Sequence, residues 1–192
     1  MKTVNIVLCG LGGQGILFMT KVLAWTAVNK GLNILGAETH GMAQRGGSVT
    51  SHLRLGDVKS SLVRTGTAHF LISLDDIEAY RNLPFLAKGA EMYINVNPDL
   101  FPEQRVKPFL DSKRIHYHAL PAGRMAQELG APLSTNLALL GYFSAFRKSP
   151  LSYKSLRTTI EEISPDAFKE INFTIFDAGY KKGIEETRDE KH

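Results

Sequence analysis

Val4-Asn5-Ile6-Val7-Leu8-Cys9-Gly10-Leu11-Gly12-Gly13-Gln14-Gly15 is the stretch from which the rest of the chain can be placed. Apart from Asn5 its first six residues are apolar without alternation, the pattern of a strand covered on both faces. Gly10, Gly12 and Gly15 then satisfy G-x-G-x-x-G, and a helix opens near Ile16. In that spacing the first glycine permits a tight turn, the second lets backbone approach a phosphate, and the third lets helix pack on strand. The helix N-terminus adds amide donors and partial positive charge. Helical periodicity continues through Val22, Leu23 and Trp25 to a stop at Gly31, and Asn33 to Glu38 reads as a second strand. Strand, helix and strand in such quick succession predict a parallel pair joined by a right-handed crossover.

Further along, Thr39-His40-Gly41-Met42-Ala43-Gln44-Arg45-Gly46-Gly47 is polar and glycine-bounded, with neither helical nor strand period. Ser48 to Leu55 alternates as a strand, Gly56-Asp57 turns, and Val58 to Val63 is expected to return as a hairpin partner. His69 to Leu74 is a buried strand; Asp75 caps the next helix, with Glu78 completing a capping-box pattern and Pro84 as a kink before a stop near Gly89. Glu91 to Val96 and Ile115 to Leu120 are strands separated by loop over 99–112. Helices are expected over Pro121 to Leu129, around the strongly apolar Leu137 to Phe143, over Ser152 to Ile163, and after Ser164-Pro165. The chain is thus expected to be α/β: a three-layer α/β/α domain on a mostly parallel, Rossmann-like sheet with one antiparallel excursion. Residues 1–184 form a single domain in this reading, and the charged residues 185–192 fray.

Composition narrows the function classes. No apolar run approaches the roughly 20 residues of a membrane-spanning helix, and Met1-Lys2-Thr3 enters a strand without a signal-peptide pattern. One cysteine among 192 residues means no disulfide framework, which fits the cytoplasm. It also means that the chain alone cannot supply the four thiolates of an iron–sulfur cluster. The net charge of +4 is scattered, and Lys181-Lys182 stands beside Glu185-Glu186. No basic stripe interleaved with aromatics is present, so nucleic acid is not an expected partner.

The glycine loop with Glu38 at the end of the second strand fits a dinucleotide site, the acid holding a ribose. Gln14, inside the loop, would point a polar side chain into the crevice. His40, Gln44 and Arg45 flank glycines at the same strand ends; Arg45 could fork onto a carboxylate or phosphate, or pair with Glu38. Cys9 is read as a small buried filler and His116 with His118 as a surface pair on one strand face. Ser51, His52 and the Asp75-Asp76 pair lack a nucleophile elbow, which argues against a hydrolase.

Gly10-Leu11-Gly12-Gly13-Gln14-Gly15-Ile16 followed by Glu38-Thr39-His40-Gly41-Met42-Ala43-Gln44-Arg45-Gly46-Gly47-Ser48-Val49 resembles the gamma-type component of the 2-oxoacid:ferredoxin oxidoreductases, in wording most like the beta subunit of the indolepyruvate branch. Leu74-Asp75-Asp76-Ile77-Glu78-Ala79 and Asn136-Leu137-Ala138-Leu139-Leu140-Gly141 fit as well. The resemblance implies oxidative decarboxylation of a 2-oxo acid on thiamine diphosphate, with electrons passing singly through iron–sulfur clusters to ferredoxin and coenzyme A taking the acyl group. It implies that this chain holds no cofactor alone. Thiamine diphosphate, magnesium and the iron–sulfur clusters would sit on a large partner subunit, and coenzyme A would be a co-substrate. No metal ligands are assigned. Gly10, Gly12, Gly13, Gln14, Gly15, Arg45 and Asn136 would face cofactor or co-substrate, with His40, Gln44 and Arg45 nearest the partner's active site. The alternatives are a free-standing NAD- or flavin-dependent oxidoreductase, and a nucleotide- or coenzyme A-binding protein without chemistry.

Overall fold

The computed structural model describes residues 3–41, 46–146 and 148–189. Its centre is β1 (Val4–Leu11), in a six-stranded sheet of order β2-β3-β1-β4-β5-β6. The other strands are β2 (Ile34–His40), β3 (Ser48–Leu55), β4 (Ala68–Ser73), β5 (Leu86–Asn95) and β6 (His116–Leu120). Apart from Asn5, β1 carries no polar side chain because it serves two cores: Ile6 and Leu8 face one, Val7 and Cys9 the other. The first core is roofed by α1 (Ile16–Asn29), α5 (Thr135–Ala145), α6 (Tyr153–Ile163) and α7 (Lys169–Asp189). The second lies under α2 (Asp76–Asn82) and α3 (Lys107–Lys113), and α4 (Ala122–Glu128) follows β6. The three-layer, mostly parallel architecture expected from the sequence is present, and β3 is the one reversed strand.

The position of β2 differs from the expectation of a β1–β2 pair. β3 intervenes, antiparallel to β1 along its whole length and antiparallel to β2 on its other side. Burial explains the order. β3 hides Val49, Ser51, His52, Leu53 and Leu55, whereas β2 leaves Gly36, Glu38, Thr39 and His40 exposed, so the strand with more to bury takes the interior place. The antiparallel excursion is therefore the β2–β3 pair, and residues 58–63 form no strand; the Val63 N–H instead donates to His52 Nδ1 at 3.2 Å.

Residues 107–112, expected as loop, are helical as part of α3, with Pro108 in the first turn where a missing N–H costs nothing. Asp75 caps α2 as expected: its Oδ1 accepts the Glu78 N–H at 3.0 Å. Pro84 lies beyond that helix, in a 3-10 turn over Leu83–Phe85. Ser164-Pro165 opens a 3-10 turn before α7. The expected frayed segment from Glu185 continues α7 as far as Asp189. A reason is visible at Glu186, which reaches His118 (3.2 Å) and the Tyr142 hydroxyl.

α5 and α7 pack closely because glycines remove side chains from the contact. A Cβ on Gly179 would overlap Ala138 O, one on Gly141 would overlap Phe176 O, and one on Gly183 would stand 2.6 Å from the Ala145 Cβ. The apolar α5, buried all round, is thereby covered by sheet on one side and α7 on the other.

Candidate functional site

The carboxyl ends of β1, β4 and β5 meet at one edge, where the glycine loop joins β1 to α1. Gly13 and Gly15 have φ of +96° and +87°, in the left-handed region that side chains disfavour. Gly13 is the open tip, with nothing within 4 Å of the Cβ position. At Gly15 a side chain would collide with Asn136, whose Nδ2–H donates to Gly15 O at 3.2 Å. Asn136 Oδ1 in turn accepts the Leu137 N–H at 2.9 Å, so this buried amide straps the loop to the start of α5.

Gln14 does not simply project into the crevice. Its Oε1 folds back to accept the Leu11 N–H at 2.7 Å, and the space it occupies exists because Gly10 has no Cβ, which would stand 2.6 Å away. The loop is closed on itself by its own side chain. α1 then begins with no side-chain cap and no acidic residue in its first turn, leaving its amide donors and dipole uncompensated.

The returning β2–β3 loop completes the edge. The Gly12 N–H donates to Gly47 O at 2.8 Å, and the Gly41 N–H to Ser48 O at 2.7 Å. Ser48 is fixed from below: its hydroxyl donates to Glu78 Oε2 at 2.6 Å, and buried Glu78 is ion-paired with Arg81. His40 ends β2, exposed, with Nε2 3.7 Å from Glu38. Gln44 and Arg45 lie outside the described residues. Between Gly13, Gln14, Leu74, Asn95, Leu133 and Thr135 is a cavity of about 230 Å³. Asn95, unremarked in the sequence, spans it: its Nδ2–H donates to Leu74 O (3.1 Å) and its Oδ1 accepts the Gly123 N–H (2.9 Å). Around this edge Leu133 and Ile77 stand 89% and 58% exposed.

This geometry removes two supports of the dinucleotide reading. The amide of Gly12, which that motif would offer to a pyrophosphate, is spent on Gly47 O. Glu38 is not beside the loop: β3 separates β2 from β1, a displacement of about 9.5 Å across two strand spacings. The cavity also falls short of the roughly 300–1,000 Å³ of a self-sufficient ligand pocket.

Away from the edge, Cys9 is a filler as expected. It is fully buried, 3.2 Å from Ser73 Oγ, and burial pushes its thiol up to about 12. Ser51 and His52, adjacent on β3, point to opposite sheet faces and form no catalytic pair. His118 departs from the expected surface pair. It is buried between Glu91 (2.9 Å) and Glu186 (3.2 Å) and stacked on Tyr93 with ring centroids 4.9 Å apart. Burial alone lowers its pKa, but the hydrogen bonds and charges of Glu186 and Glu91 outweigh this and lift it to about 9. Glu91 also accepts from Lys148. Among the described residues no group of three or more His, Cys, Asp or Glu side chains is arranged for a metal ion, and no helix is long and apolar enough to cross a membrane.

A mixed six-stranded sheet with these edge loops is the fold of the gamma subunits of keto/oxoacid ferredoxin oxidoreductases. The gamma subunit from Geobacter sulfurreducens superposes with a TM-score of 0.74 at 20% identity, over 94% of this chain and 98% of that one. A 2-oxoglutarate:ferredoxin oxidoreductase from Magnetococcus marinus, with 2-oxoglutarate, coenzyme A and succinyl-CoA bound, superposes at 0.77 and 18% identity over 95% of this chain and 31% of that one. Residues 5–182 match the pyruvate ferredoxin/flavodoxin oxidoreductase family, and the chain belongs to it. In sequence, indolepyruvate oxidoreductase subunit IorB of Archaeoglobus fulgidus is 33% identical over 191 residues, covering 94% of this chain and 95% of the relative.

Proposed function

We propose that this chain is the non-redox subunit of a cytoplasmic 2-oxoacid:ferredoxin oxidoreductase acting on indolepyruvate or a related arylpyruvate. A large partner subunit carries thiamine diphosphate, magnesium and the iron–sulfur clusters, coenzyme A accepts the acyl group, and ferredoxin takes the electrons. The chain contributes no redox centre of its own, since its one cysteine is a buried thiol with a pKa near 12. The substrate class rests on the full-length likeness to the indolepyruvate oxidoreductase subunit.

The observation that carries the reading is the fused edge itself. The Gly12–Gly47 hydrogen bond joins the glycine loop to the start of β3 at Gly47 and Ser48, with open backbone at Gly13 and uncompensated α1 amides beside it. Such a surface is too shallow to enclose a cofactor, yet exposed Leu133 and Ile77 give it apolar ground for a neighbour. In this reading His40, Gln44 and Arg45 approach the partner's active site. The α1 amides and Arg45 supply positive potential toward the phosphates of coenzyme A. Asn136 and Gln14 act indirectly, by holding the loop in shape.

Anaerobic reconstitution with the large subunit tests this. The isolated chain should be colourless and inactive, and the complex should reduce ferredoxin with indolepyruvate and coenzyme A. Arg45→Ala and His40→Ala should lower turnover or raise the KM for coenzyme A while the subunits still assemble. A flavin spectrum or hydride transfer by the isolated chain, or full activity of both variants, would overturn the proposal.

A further inference from the structure

Glu78 stands in the first turn of α2, where a capping box would fold its side chain back onto the Asp75 N–H. That bond is not made. The Asp75 N–H is directed to Ser73 Oγ (3.4 Å), and the Glu78 carboxylate reaches across to the first residue of β3. The side chain is 0% exposed, and among the described residues its oxygens have one partner each: Oε1 takes Arg81, and Oε2 takes the Ser48 hydroxyl at 2.6 Å. The Glu78 main chain is held as well. Asp75 Oδ1 accepts its N–H, and its carbonyl accepts from Asn82 Nδ2 (2.9 Å) and lies 3.5 Å from the buried Cys9 Sγ of β1.

Stability does not account for a carboxylate in this place. Arg81 stands 64% exposed, so its attraction is screened by water, whereas the desolvation of Glu78 is complete. An apolar side chain filling the same volume would serve the fold as well or better. What the carboxylate supplies is direction, because a charge-assisted O–H···O bond of this length holds its donor more tightly than a neutral one.

The donor so held is a junction of three segments. Ser48 pairs with Leu11 at the end of β1, its carbonyl accepts the Gly41 N–H (2.7 Å) just past β2, and the neighbouring Gly47 carbonyl accepts the Gly12 N–H (2.8 Å) of the glycine loop. A Cβ at Gly41 would stand 3.2 Å from Ser48 N and 3.3 Å from Ser48 O, so the two backbones cross at close contact. The stretch that carries Gln44 and Arg45 is thus pinned through Ser48 both where it leaves β2 and where it enters β3. We propose that Glu78 is a positioning residue for the reaction: with Arg81 as counter-ion it holds Ser48, and through Ser48 the two ends of the β2–β3 loop, in register with the glycine loop for the partner's active site. The inference rests on the proposed function in taking this edge as the one that meets the partner.

Glu78→Gln and Ser48→Ala test this, with Ser48→Thr as the variant that keeps the hydroxyl. In the isolated chain, hydrogen–deuterium exchange at the Gly12 and Gly41 amides should quicken on the order of tenfold in Glu78→Gln and Ser48→Ala, and should stay near the unmodified rate in Ser48→Thr. In the reconstituted complex, kcat per assembled complex should fall about tenfold in the same two variants. The KM for ferredoxin should not change, since the electrons leave from the large subunit, and Ser48→Thr should recover most of the turnover. Ser48→Ala leaves α2 and its ion pair in place, so it decides the matter even where Glu78→Gln fails to fold. A purely structural role would lower the fraction that folds or assembles and leave kcat per assembled complex untouched. That result would overturn the proposal, as would unchanged exchange in Ser48→Ala. An unmodified complex that fails to reduce ferredoxin would count against the proposed function instead, and the exchange rates would still decide whether Glu78 holds Gly41.

Discussion

Gly141, Gly179 and Gly183 bring α5 and α7 together, while Gly12, Gly13 and Gly15 shape the loop ahead of α1. Around the first set the space is already full of backbone: an added methyl at Gly141 or Gly179 meets a carbonyl of the facing helix. Around the tip of the second set there is nothing within 4 Å, and what demands glycine is the sign of φ. One region uses the missing side chain for close approach, which only the folded core feels. The other uses it for a left-handed backbone at an open tip, so damage there should be felt in function before stability.

Substitution should separate the two regions by size. Gly179→Ala, forcing α5 and α7 apart, is expected to cost about 3 kcal/mol or more in chemical denaturation; a loss well below 1 kcal/mol would show that the helices yield and break the comparison. Next comes the His118 cluster, which ties α7 to β5, β6 and α5. A folded-state pKa near 9 against an ordinary 6.5 means that its contribution is complete below pH 6.5 and is lost as pH rises through about 9. The amount is on the order of 3 kcal/mol. On the acid side, burial raises the carboxyl pKa values of Glu91 and Glu186, but His118 with Lys148 and Tyr142 overcomes this and holds both below the ordinary 4.5. Their contribution is full above that pH and fades as pH falls through the lowered values. Melting temperature followed from pH 6 to 10 should therefore decline, and Glu186→Gln should flatten the decline; equal slopes in the two proteins would remove the cluster from the account.

Asn136→Ala unstraps Gly15 and should cost about 1–2 kcal/mol, with a larger fractional loss in turnover of the reconstituted complex than Gly179→Ala gives once its fold is rescued by low temperature. Gly13→Ala is expected to be the mildest in stability, about 1 kcal/mol for the left-handed backbone, yet to impair turnover of the reconstituted complex. A Gly13→Ala chain with normal activity would contradict a functional role for the loop tip.

Much of this arrangement was legible before any coordinates. The apolar run into glycines, the Asp75 cap and the all-round apolar α5 are local signals, and each appears where its pattern placed it. What escaped depended on partners far along the chain. Periodicity marked β2 and β3 as strands but carries no information on which lies beside β1. Gln14 looked like a ligand because its acceptor role toward Leu11, inside its own loop, has no sequence signature. His118 and His116 share a strand face, yet only His118 is reached by Glu186, 68 residues away. Prolines disguised α3 as loop because Pro108 reads as a breaker unless the first turn is recognised.

The placement of β1 has a consequence for how the chain acquires its structure. One side of β1 waits for β3, and the other waits for β4, whose Ser73 lies 64 residues beyond Cys9. β1 is thus synthesised before both of its neighbours and covered late, by contacts of long sequence separation that slow folding. During that interval it is a bare hydrophobic ribbon on the ribosome. The nascent subunit should therefore lean on chaperones most heavily between the emergence of β1 and the emergence of β4, and a truncation ending before Ala68 should precipitate rather than persist as a folded fragment.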